Sequence, residues 1–84
     1  MATFVVEMYL PRGRAGERTQ LDYRARAAAS SLSAEGIHVR HVRSVFMPED
    51  EICMQFFEAP RSEAVVEVSR RAGLRYERIV EATE

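Results

Sequence analysis

Lysine is absent from this 84-residue chain, cysteine occurs once, and no apolar run is more than a few residues long. Each shortage excludes something. The lone Cys53 rules out an intramolecular disulfide framework. Apolar runs this short fall well below the ~20 residues needed to span a bilayer as a helix. A surplus of positive charge is lacking too: twelve basic residues, all arginine, face thirteen acidic ones, for a formal charge of -1. Nucleic acid is therefore not expected as an obligate partner, because phosphate binding draws on a net or strongly local positive field. The all-arginine bias reads as coding composition rather than chemistry, since the guanidinium fork matters only at paired or stacked sites. With no secretory pattern at the start and one cysteine, the expected setting is the reducing cytoplasm. Repeats, low-complexity tracts and linker-like stretches are missing as well, so residues 1–84 are expected to form one domain.

What is present is a composition that folds: 46% of the residues are hydrophobic and 30% charged. A chain of this size buries only about 60% of the surface its unfolded form exposes, so it stands alone marginally. Thr3 to Leu10 alternates, with Phe4, Val6, Met8 and Leu10 on one side and Thr3, Val5, Glu7 and Tyr9 on the other. The wholly apolar side is expected under helices. Pro11 ends that strand, and Pro11 to Gly16 reads as a flexible crossover. A helix is predicted from about Glu17 to Ala34, with Leu21, Ala25, Ala28 and Leu32 on one stripe and Gly36 closing it.

A second strand is predicted over Ile37–Met47, though its inward face is not assigned, because His38, Arg40, His41 and Arg43 interrupt the alternation. Pro48-Glu49-Asp50 makes a turn into a third strand around Ile52–Phe57, giving a hairpin. Ala59 to Ser62 breaks it and begins a second helix, whose stripe is Ala64, Val65, Val68 and Ala72, closed by Gly73 with Leu74 packing back. Arg78 to Ala82 reads as a short last strand. The order strand, helix, strand, strand, helix, strand is that of an α+β ferredoxin-like βαββαβ sandwich: an antiparallel four-stranded sheet with both helices on one face.

Such a layout leaves the other face of the sheet uncovered. Val5, Glu7 and Tyr9 of the first strand and Cys53, Gln55 and Phe57 of the third are expected to share it. A contiguous patch of this kind is seldom left open on a monomer, so a homodimer formed through the sheet is expected. The competing layout is a face part covered by loops and part wet, which antiparallel sheets tolerate.

His38 and His41 are the histidines of the chain. Imidazole nitrogen ligates divalent nickel or zinc, and Glu7 is a candidate oxygen ligand beside them. Residues three apart in a regular strand point to opposite faces, so the two rings clamp one ion only if a bulge intervenes or a second subunit completes the site. Glu58, a further oxygen donor, reads more simply as a surface ion-pair partner. Cys53 is a ligand or redox thiol only where cations lower its pKa, and an inert packed cysteine is the simpler expectation. Arg12 and Arg14 precede the first helix, where free N–H groups attract anions, but the stretch fits no phosphate-loop pattern.

Several families of this fold are excluded by their motifs. The paired cysteines of metallochaperones are missing after the first strand, and the third strand lacks the basic-glycine-aromatic run of RNA readers. The glycine and arginine loop of acylphosphatases is matched here only in composition. One resemblance runs along nearly the whole chain. Val6-Glu7-Met8-Tyr9-Leu10-Pro11, Arg43 through Cys53, Phe57-Glu58-Ala59-Pro60, Arg70-Arg71-Ala72-Gly73-Leu74 and Arg78-Ile79-Val80-Glu81 resemble a family of small, mostly uncharacterised bacterial proteins, largely actinobacterial. That resemblance implies a ferredoxin-like fold, a tendency to dimerise and, through nickel-binding relatives, binding of a divalent metal.

Three functions follow as expectations. The first is a non-enzymatic dimer holding a metal ion or small molecule at the strand-two histidines or between sheets. The second is a small dimeric α+β barrel enzyme of monooxygenase or isomerase type, with Tyr9, His41 and Cys53 as its polar groups. The third is a subunit whose sheet binds another protein. No nucleophile, base and orienting group stand at a readable spacing.

Overall fold

The computed structural model describes residues 1–83. The elements run β1 (Ala2–Tyr9), a short 3-10 turn (Arg12–Glu17), α1 (Arg18–Ala34), β2 (Arg40–Met47), β3 (Ile52–Ala59), α2 (Ser62–Ala72) and β4 (Tyr76–Ala82). The strands form one antiparallel sheet in the order β2-β3-β1-β4, the ferredoxin-like arrangement. The stretch Pro11 to Gly16, expected as a flexible crossover, is mostly taken up in the 3-10 turn Arg12–Glu17, which Arg14 N–H opens by donating to Pro11 O at 2.8 Å.

Both helices end in the same way. Gly36 (φ 94°) and Gly73 (φ 68°) take the left-handed conformation that costs a residue without Cβ nothing. Past α1, Ile37 N–H returns to Leu32 O at 2.9 Å; past α2, Leu74 N–H returns to Ser69 O at 2.9 Å. The helices are also bridged at their surface, where Arg71 contacts Glu35 at 2.6 Å and Glu67 at 2.8 Å. These pairs are exposed and add little stability.

The core lies between the helices and one sheet face. Phe4, Val6 and Met8 of β1, with Leu10 just past its end, meet Ala25, Ala29 and Leu32 of α1 and Val65, Val68 and Ala72 of α2 within one buried cluster. Alanines on α1 let its backbone approach the sheet closely, and apolar burial there is worth about 25 cal/mol per Å2.

Register decides which residues of β3 join that core, and it corrects the sequence reading. Met8 pairs with Cys53, Val6 with Gln55 and Phe4 with Phe57, and directly paired residues share a face. Cys53, Gln55 and Phe57 therefore point under the helices, each fully buried, and not to the open side. The open side is built instead from Val5, Glu7 and Tyr9 of β1 with Ile52, Met54, Phe56 and Glu58 of β3.

The strand containing the histidines also departs from expectation. It begins at Arg40, so Ile37 and His38 lie in the exposed connection before it. Its register shifts between His41, opposite Phe57, and Arg43, opposite Phe56, which leaves Val42 as an extra, bulged residue. The bulge lets His41 and Ser44, three apart, both face the helices.

Candidate functional site

A chain of polar side chains crosses the otherwise apolar layer between α1 and the sheet. At its outer end Arg18 donates from Nε to Ser44 Oγ at 2.9 Å and from Nη2 to Ser44 O at 3.0 Å. Ser44 Oγ donates to Asp22 Oδ2 at 2.9 Å. Asp22 Oδ1 accepts from Gln55 Nε2, also at 2.9 Å. That bond turns Gln55 Oε1 toward His41 Nε2, 2.6 Å away, and an acceptor there requires the imidazole proton on Nε2. His41 Nδ1 is then a bare lone pair, buried and without a hydrogen-bond partner. The ring stands edge-on to Phe57, centroids 5.2 Å apart.

Each member is placed by a different element. Arg18 and Asp22 sit one turn apart on α1, His41 and Ser44 flank the bulge of β2, and Gln55 occupies the centre of β3. Gln55 is fully buried, so its amide is tolerable only because both ends are bonded. Cys53 Sγ lies 3.7 Å from Gln55 Nε2, and burial, with the Asp22 carboxylate adding to it, pushes the thiol pKa up. A thiol held protonated in this way is a poor nucleophile or metal ligand.

Burial pushes the His41 pKa below its ordinary 6.5; the neighbouring Arg26 adds to this, while the Gln55 bond and Asp22 oppose it. The sign of the pH effect follows. Above 6.5 the ring is neutral whether the chain is folded or unfolded. As pH drops below 6.5 the unfolded chain takes a proton that the folded chain resists, so stability declines from there down to the folded pKa. Glu17, Glu35 and Glu67 are held below their ordinary 4.5 by arginine partners, so their losses come at lower pH. Urea midpoints measured from pH 7.5 to about pH 5 are expected to fall, and His41→Gln is expected to remove most of that slope.

The expected metal ligands are not brought together. His41 faces the helices and is 7% exposed, Glu7 lies on the open face paired to Arg78 at 3.0 Å, and His38 is exposed before β2. Among the described residues no group of three or more His, Cys, Asp or Glu is placed to hold a metal ion. The enzyme constellation is divided as well, since Tyr9 lies on the open face while His41 and Cys53 lie under the helices.

The open face is the second candidate surface. Val5, Met54, Phe56, Val45 and Val80 lie side by side across all four strands. Val5 is buried to 6% exposure yet stands outside the core cluster, screened by its strand neighbours Phe56 and Val80. Arg43 lays its guanidinium 4.9 Å from the centre of the Phe56 ring. The charges at the margin are matched: Glu7 by Arg78, and Glu58 by Arg40 at 2.7 Å. No helix of the described residues is long and apolar enough to cross a membrane.

A family model described as nickel responsive protein, SCO4226-like, matches residues 4–82. Among solved structures, that of SCO4226 from Streptomyces coelicolor A3(2) is similar at a TM-score of 0.80, with 20% identity, over 99% of this chain and 98% of that one. No curated protein matches the chain.

Proposed function

The chain belongs to the SCO4226-like family of nickel responsive proteins, and from that membership we propose that it works as a non-catalytic homodimer tied to nickel. The observation that carries the dimer is the open sheet face, apolar across four strands and without a helix over it. A second copy is the natural cover for such a face. Burying it strands no carboxylate, because Glu7 and Glu58 already have guanidinium partners, and Arg43, which has none, rests on the Phe56 ring.

Nickel is supported by the family description, and the donor set limits how it is held. One chain assembles no complete ligand group among its described residues. Our reading therefore places coordination between chains and gives the leading part to His38, whose ring is exposed. His41 is given a structural part, because its Nε2 is already committed to Gln55.

Equilibrium dialysis with nickel and zinc, alongside sedimentation, tests both halves. His38→Ala is expected to weaken nickel uptake by at least about tenfold, while His41→Gln keeps it. Equal uptake by wild type and His38→Ala removes His38 from the account. A lone 9.6 kDa species at micromolar concentration, with or without nickel, removes the dimer.

A further inference from the structure

We propose that the cleft where β1 runs into the 3-10 turn is a binding site for a small organic anion, a carboxylate carried on an apolar body. The cleft has a volume of about 560 Å3 and is walled by separate elements: the end of β1, the 3-10 turn, the first turns of α1, and the Gly73–Arg75 connection into β4. That volume suits a small molecule. Met8 and Leu10, exposed by only 4% and 3%, make its apolar side together with the half-buried Leu21.

Its charged side carries an uncancelled positive charge. Arg14, Arg24 and Arg75 line the cleft against a single acid, Glu17. Glu17 is taken by Arg14, which donates to both carboxylate oxygens at 2.6 and 2.8 Å. Arg24 reaches only Gly73 O, at a weak 3.5 Å. Arg75 has no hydrogen bond or ion pair among the described residues. Nearly every other arginine is engaged by a carboxylate, Ser44 or the Phe56 ring; the exceptions, Arg26 and Arg61, lie outside this cleft. Two guanidinium forks without a carboxylate hydrogen bond, lining one cleft beside an apolar floor, suit a planar carboxylate. Tyr9, at the same mouth and 59% exposed, offers a ring for the apolar body and a hydroxyl for the anion.

The metal and dimer reading does not enter this inference. Its test is a 15N NMR titration of the whole chain with benzoate, benzylammonium and inorganic phosphate in about 150 mM salt, where nonspecific pairing is screened. Benzoate is expected to shift Tyr9–Leu21 and Gly73–Arg75 saturably, with a dissociation constant on the order of 1 mM. Phosphate, lacking the apolar body, is expected to bind about tenfold more weakly, and benzylammonium not at all. Arg24→Gln and Arg75→Gln are each expected to weaken benzoate by about tenfold, while Arg40→Gln on the open sheet face leaves it unchanged. Both cleft arginines are exposed, so thermal midpoints are expected to stay at the wild-type value and loss of folding will not pass for loss of binding. Equal shifts with benzoate and benzylammonium, shifts scattered over the surface, or undiminished binding by the Arg24→Gln/Arg75→Gln double variant would each overturn the site.

Discussion

Phe57→Ala is expected to destabilise the fold by about 3–5 kcal/mol, whereas Phe56→Ala, one residue away, is expected to leave the fold standing and loosen the proposed dimer. The two rings share a strand and nothing else. Phe57 is fully buried among Phe4, the His41 ring and the helices, so its removal opens a cavity in a core with little to spare. A chain of this length has a total stability of about 4–13 kcal/mol, and the low end of that range does not survive such a loss. Phe56 is half-buried on the open face, in contact with Arg43, and its removal costs about 1 kcal/mol within one chain. Urea unfolding reads the first effect and sedimentation the second. Equal unfolding midpoints for the two variants would contradict the β1–β3 register.

The second large effect is expected at Asp22. Asp22→Ala removes the acceptor shared by Gln55 Nε2 and Ser44 Oγ. Gln55, fully buried, would keep only the 3.7 Å contact to Cys53 sulfur for its amide nitrogen. Leaving a buried donor unbonded costs about 1–3 kcal/mol, and the Ser44 bond is lost with it, so a destabilisation of about 2–4 kcal/mol is expected in urea. Gln55→Leu on the Asp22→Ala background is expected to cost less than the two single losses added together, because the amide stranded by the first change is removed by the second, even though His41 Nε2–H then loses its acceptor. Additive losses in the double variant would show that the two side chains do not act as a pair.

These residues also show where the sequence was readable. The inward face of β1 was legible because Phe4, Val6, Met8 and Leu10 are apolar without exception and their alternates are not. In β3 both alternating sets are bulky: Ile52, Met54 and Phe56 stand against Cys53, Gln55 and Phe57. The glutamine then misleads, because a polar side chain in a strand reads as outward unless its buried partners are known. A signal for those partners did exist on the first helix. Arg18, Asp22, Ala25, Ala29 and Leu32 fall on one helical stripe, so two charged groups continue the apolar face toward the sheet. Charges in that position call for polar acceptors opposite them. The parting of His38 and His41 was not legible, because neither the start of β2 at Arg40 nor the bulge at Val42 has a composition of its own.

The extra residue in β2 makes that strand a matter of parity. Arg40 is opposite Glu58 and His41 opposite Phe57, but only because Val42 is counted out of the ladder. Take Val42 into the ladder as a paired residue and the odd and even positions upstream exchange sides: the imidazole swings out to water and a guanidinium is driven beneath α1, whereas deleting Val42 leaves both pairings as they are. Residues 36–39, which precede the first rung, can change in number without altering which positions are odd. Tolerance of length change in this half of the molecule is therefore set by arithmetic: it ends where pairing begins, and Val42, counted out of the ladder, is the exception.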